Sequence, residues 1–170
     1  MECRVHEKPA FESAFALYPY GGAAKKLLCS YKFSTFRPVA HFYCVQLATC
    51  IKKLEAEWGS IQEIVPVPPR PGKIKKKGWD QVETLARSLK ARGFPVNSCL
   101  RRLKSRSQKE LNRSDREKNL IGKIICTKDV PESALLIDDV ITTGATLNEC
   151  ARVLKKAGCL QVYALVICYD

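Results

Sequence analysis

Histidine, long apolar runs and closely paired cysteines are what this chain has least of. Its two histidines, His6 and His41, stand alone in the sequence. That argues against a site built on several imidazoles, and a core or surface role is expected for each. No apolar run approaches the roughly 20 residues of a membrane span, so no membrane span is expected. The opening residues, MECRVHEK, lack the apolar core of an export signal, and a cytoplasmic protein is expected. Nine cysteines are present, but none forms a Cys-x-x-Cys pair. The nearest two, Cys44 and Cys50, lie in a helical pattern. Cys126, Cys150 and Cys168 fall on apolar positions and read as small core residues. Without an export signal, a disulfide framework is not expected.

Acidic residues are the scarcer charge. There are 17 Asp/Glu against 29 Lys/Arg, a formal net charge of +12. The excess is local, because residues 70–118 alone carry 16 Lys/Arg against 5 Asp/Glu. That stretch is expected to meet anions: pyrophosphate, a nucleotide or a nucleic-acid backbone. Its aromatics are only Trp79 and Phe94, fewer than a platform for stacking single-stranded bases would use. The case for phosphate is therefore stronger than the case for DNA.

A chain of 170 residues suits one sizeable core. Phe11–Tyr18 reads as a strand, closed by Pro19-Tyr20-Gly21-Gly22. A short helix is expected over Ala23–Tyr31. A longer one over Pro38–Trp58 has apolar residues Val39, Tyr43, Leu47, Ile51, Leu54 and Trp58 at steps of three and four. Ile61–Val67 reads as a strand that must leave its sheet at Pro66-Val67-Pro68-Pro69. Lys73–Lys77 reads as a basic loop. Asp80 and Glu83 then form a capping-box pattern for a helix that buries Val82, Leu85, Ala86 and Leu89. Val96–Leu103 is strand-like. Lys104–Asn119 is so polar that a mobile loop or frayed helix is expected. Strands at Leu120–Cys126, Ala134–Asp139 and Val162–Cys168 follow, with a helix between the last two. Strands alternating with helices, several strands being apolar throughout, predict an α/β fold. Its sheet is mainly parallel, with helices on both faces. Ligands then bind at the carboxyl ends of strands. Val67 and Asp139 are the two ends that open onto unusual loops.

The most informative string is Ala134–Thr146, ALLIDDVITTGAT. An apolar strand ends in adjacent carboxylates, Asp138 and Asp139. A turn of Thr142, Thr143, Gly144, Ala145 and Thr146 then leads onto a helix. Such a turn aims unpaired amides and the positive end of a helix dipole at one point, which suits a phosphate. Carboxylates beside it suit sugar hydroxyls. Together they describe a pocket for a ribose 5-phosphate.

This string resembles the phosphoribosyl-pyrophosphate (PRPP) signature of type I phosphoribosyltransferases. The resemblance implies that Asp138 and Asp139, the catalytic candidates, hold the ribose 2- and 3-hydroxyls. It also implies that Thr142–Thr146 cradles the 5-phosphate. More of the chain is similar to the competence protein F (ComF) family. The residues that carry this are Val65-Pro66-Val67-Pro68, Gly78-Trp79-Asp80-Gln81, the series Gln108, Leu111, Arg116 and Asn119, the opening strand with Tyr20-Gly21-Gly22, and Lys32-Phe33. The likeness runs over about residues 9–168. It departs from the family at Lys77, where Arg is preferred; Lys keeps the charge but loses bidentate geometry. It departs also at the start, where a four-cysteine zinc module is usual and only Cys3 is present, so no structural zinc is expected.

The resemblance implies a type I phosphoribosyltransferase-like core over residues 61–170 and a small hood-like N-terminal segment over residues 1–60. Pro68, Arg70, Lys77, Gln108 and Arg116 are the candidates for the pyrophosphate and basic-loop side of the site. Mg²⁺ is expected with PRPP, carried on its pyrophosphate rather than ligated by the protein. Lys104–Asn119 has the character of a lid. PRPP or a nucleotide is the expected ligand, single-stranded DNA a second partner, and a homodimer is compatible with this reading. Three readings stay open: a transferase of phosphoribose; a nucleotide or PRPP binder that handles single-stranded DNA or regulates a partner; and a scaffold with a vestigial site, against which the intact acids and Thr-Thr-Gly-x-Thr weigh.

Overall fold

The computed structural model describes residues 9–33, 37–59, 61–104 and 120–170. Four parallel strands form the central sheet: β1 (Ser13–Pro19), β2 (Glu63–Pro66), β5 (Ser133–Ile141) and β6 (Gln161–Tyr169), in the order β1-β6-β5-β2. The long apolar strands take the centre. β6 is buried at every residue except its two ends.

Alternation sends side chains to two cores. Ile64, Leu135, Ile137, Tyr163 and Leu165 face α1 (Gly22–Phe33), α2 (Arg37–Trp58) and α4 (Gln81–Ala91), packing with Leu28, Tyr43, Leu47, Leu85 and Leu89. Val65, Leu136, Ala164 and Val166 face α5 (Ala145–Lys156), packing with Leu147, Cys150, Ala151 and Leu154. The fold is thus α/β, a parallel sheet with helices on both faces. Residues 1–60, expected as a hood-like segment, contribute β1 to this sheet and α2 to the first of these cores. Among the described residues no helix is long and apolar enough to cross a membrane.

Two elements differ from expectation. Val96–Leu103 and Leu120–Cys126 do not join the parallel sheet. Val96 makes one parallel bridge to Ile64, with Ile64 N–H donating to Pro95 O and Asn97 N–H to Ile64 O. Pro66, the next β2 residue facing that edge, has no N–H to donate to Asn97 O and extend the ladder. The chain turns away, and β3 (Leu100–Arg102) pairs antiparallel with β4 (Ile124–Cys126) in a separate two-stranded sheet. The second difference is Lys73–Lys77, which is not a loop but a five-residue helix, α3. It is bounded by Gly72 (φ 81°) and Gly78 (φ 76°), both in the left-handed region that glycine adopts without strain. None of its residues is buried, so no apolar periodicity announced it.

Because the four strands are parallel, their carboxyl ends share one edge. The turns after β1 and β2, the Thr142–Gly144 turn after β5 and Asp170 after β6 all open there. Gln108, Arg116 and the expected lid, apart from Lys104, lie outside the described residues.

Candidate functional site

A cleft of about 810 Å³ occupies that edge. The β5 end brings Asp138, Asp139, Thr142 and Thr146 to it. The turn after β2 brings Pro68 and Arg70, and α3 brings Lys73 and Lys77. Thr143, Gly144 and Ala145 complete the turn between the two cleft-lining threonines. Gly144 occupies the N-cap of α5 with φ 74° and brings no side-chain cap. The Ala145 amide donates to Thr143 Oγ1 at 3.4 Å, and among the described residues the next amides of α5 have no capping oxygen.

Sequence reasoning assigned no site role to several residues that also line the cleft: Tyr20, Lys32, Asp80, Gln81, Arg102 and Asp170. Lys32 and the Gly78–Gln81 string had been legible as parts of a motif. Arg102 gave no signal beyond its charge, because its place depends on how β3 leaves the main sheet.

The carboxylates are held differently. Asp139 Oδ2 is 3.2 Å from Lys32 Nζ and accepts a hydrogen bond from Gln81 Nε2. Gln81 Oε1 in turn accepts from Lys73 Nζ at 2.5 Å, and Lys73 Nζ lies 2.6 Å from Asp80 Oδ2. Asp80 is almost fully buried and caps α4, accepting from the amides of Val82 (2.9 Å) and Glu83 (3.0 Å). The second half of the expected capping box is replaced, since Glu83 reaches toward Arg87 at 3.9 Å. Among the described residues Asp138 Oδ1 accepts only from the Asp139 amide, at 2.7 Å. Burial, then the neighbouring Asp139 charge, push the Asp138 carboxyl up to about 8.

The cleft is also lined by the guanidinium groups Arg70 and Arg102. Burial, then the charge of Arg70, lower Arg102 from the ordinary guanidinium value. Among the described residues neither guanidinium forms a salt bridge. Two like charges facing one cleft are a cost that an anion would relieve. The cleft therefore brings carboxylates and cations together, with a helix N-terminus beside them. It fits a ligand carrying both hydroxyls and phosphates. No group of three or more His, Cys, Asp or Glu side chains positioned to hold a metal occurs among the described residues. This donor set suits a cation brought in on a ligand's phosphate oxygens better than one ligated by the protein alone.

No family model matches the chain. It is 30% identical over 148 residues to the competence protein ComFC of Streptococcus pneumoniae, covering 86% of this chain and 64% of that protein. It is 32% identical over 114 residues to the competence protein F of Haemophilus influenzae, covering 61% and 49%. ComFC of Bacillus subtilis is 24% identical over 161 residues, covering 91% and 63%. These competence proteins are homologues of the chain, which spans about half to two thirds of their length. Among solved structures, the hypoxanthine-guanine phosphoribosyl transferase of L. donovani aligns with a TM-score of 0.43 at 13% identity, covering 84% of this chain and 71% of that one.

Proposed function

We propose that the cleft binds PRPP and that the chain transfers phosphoribose to a nucleophile with release of pyrophosphate. One observation carries this reading: the acid pair, the Thr142–Thr146 turn and the cations Arg70, Lys73, Lys77 and Arg102 converge on a single cleft. The turn and the α5 amides hold the 5-phosphate. The acid pair orients the ribose hydroxyls. The cations take the pyrophosphate as the C1–O bond breaks and its electron pair passes to the leaving oxygen, where charge develops in the transition state. Mg²⁺ carried on the pyrophosphate would offset part of that charge. The nucleophile attacks C1 from the face opposite the leaving group. The names of the homologous competence proteins support a setting in DNA uptake.

The test is calorimetric titration with PRPP and Mg²⁺, with ribose 5-phosphate and AMP alongside, followed by assay of pyrophosphate release against candidate bases. Binding with release supports the transferase. Binding without release, across bases, supports a non-catalytic PRPP or nucleotide binder. Absence of binding to all three ligands at millimolar concentration sinks the reading.

A second function has its own observation. Lys75 and Lys76 of α3 are exposed within the strongly basic stretch, and they offer a track for a nucleic-acid backbone beside the cleft.

A further inference from the structure

The two adjacent carboxylates are chemically alike but are built into the site in different ways. Asp139 is 8% exposed, and among the described residues both its close side-chain contacts, Lys32 Nζ and Gln81 Nε2, fall on one oxygen, Oδ2. Gln81 is itself buried and has no freedom to turn its amide over. Lys73 Nζ donates to Gln81 Oε1, so that atom must be the carbonyl oxygen, and the NH₂ end must point to Asp139. The Gln81 backbone is fixed as well, since its carbonyl accepts from Tyr31 O–H at 2.8 Å. Lys32 and Gln81 come from separate segments that close on this one carboxylate, and Lys73, from a third, acts on it through Gln81. Asp138 has only the local bond from the Asp139 amide, and among the described residues no side chain donates to it. Its carboxylate keeps part of its surface open to the cleft.

We propose that the acid pair divides its work: Asp139 is a fixed anchor, Asp138 is the carboxylate that takes a ligand hydroxyl, and Gln81, oriented by Lys73, is the positioning residue that sets the division. The proposal rests on the ribose-ligand reading for the identity of the hydroxyl, but the asymmetry itself is a property of the free protein. A ligand hydroxyl replaces nothing at Asp138, whereas at Asp139 it would have to displace an ammonium contact and an amide bond at Oδ2 or reach Oδ1 on a residue only 8% exposed.

The experiment is a double-mutant cycle on the full chain, read by ligand-free thermal unfolding at pH 8, with Mg²⁺·PRPP calorimetry as a separate arm. D139N should lower the midpoint and D138N should not. In a Q81M background the D139N effect should shrink, because the two groups share one contact, while the D138N effect should be unchanged. In the calorimetric arm D138N should weaken binding about tenfold or more, and D139N by less. Equal midpoint changes for D138N and D139N, or strict additivity of D139N with Q81M, overturns the division. Should D139N not fold, K32M, which removes the other contact on Asp139 Oδ2, takes its place in the cycle. If wild-type protein fails to bind Mg²⁺·PRPP, the phosphoribosyl reading falls while the thermal cycle still decides the division.

Discussion

The Lys73 ammonium lies 2.6 Å from the Asp80 carboxylate, and that carboxylate is also the N-cap of α4. One buried side chain therefore fixes the start of a core helix and tethers the exposed basic helix α3 beside the cleft. Asp80→Ala should cost about 2–4 kcal/mol, combining a lost cap with an ammonium left without its partner. Asp80→Asn keeps a good cap and should cost less. Urea unfolding of both variants checks this; equal losses would show that the cap contributes little.

Gly144 is the second point where backbone shape meets the site. Its φ of 74° is unfavourable for a residue with a Cβ, although an added Cβ would only touch Ile141 Cδ1 at 3.7 Å. Conformation, not crowding by the protein, is thus the obstacle. Gly144→Ala should cost about 1–2 kcal/mol. Gly144→Val should also lose the phosphate-binding turn. A folded Gly144→Val protein with wild-type affinity for Mg²⁺·PRPP in calorimetry would contradict the role of the turn.

Asp138 makes stability depend on pH. The groups that face it are Asp139, Asp80, Lys32, Cys150 and Arg102. Its folded-state value is raised, to about 8, above the ordinary carboxylate range. Its contribution is therefore fully present below the unfolded value, near pH 4, and is lost as pH rises through the folded one. Asp138→Asn, which cannot ionise, should match wild type near pH 4 and unfold at a higher temperature than wild type near pH 8–9. The gain should be about 2–4 °C for each kcal/mol. Differential scanning calorimetry across that range measures it, and a gain confined to low pH would reverse the assignment.

What the sequence makes legible here is what lies in short spans. Ala134–Thr146 shows its strand, acid pair and turn because apolar alternation and turn chemistry are local. The same holds for Asp80 and the helix after it. The α3 helix is not legible, since Lys73–Lys77 has one apolar residue and its limits depend on two glycines in left-handed conformation. Nor is the small sheet of β3 and β4: whether Val96–Leu103 stays on β2 is decided by the missing N–H of Pro66, which ends the ladder beyond Asn97, and by pairing with residues far along the chain. The chain of contacts from Lys73 through Gln81 to Asp139 needs three separate segments to be placed first. No spacing within the sequence encodes it, though its members sit in strings that resemble a family motif.

The basic stretch separates a small-ligand site from a nucleic-acid track, and the structure sharpens how to test them apart. Lys73 is committed to Asp80 and Gln81, so reversing its charge would disturb the cleft itself. Lys75 and Lys76 are exposed on the same short helix, away from the cleft lining. They are the residues to change. A single strand bound along this face releases condensed counterions, so its affinity should fall by about 0.7 log unit per log unit of salt for each phosphate neutralised. PRPP in the cleft meets partly buried partners such as Arg102 and should respond less steeply, because screening acts mainly on exposed charges. Wild-type protein should therefore show weak, sequence-independent binding to single-stranded DNA that modest salt removes, beside PRPP binding that survives. Lys75→Glu with Lys76→Glu should flatten the DNA salt slope and leave PRPP affinity near wild type. Fluorescence anisotropy with a labelled oligonucleotide over a salt series, paired with calorimetry, reads both. An unchanged DNA slope in the double variant would remove α3 from any nucleic-acid track and leave the cleft as the function of this basic region.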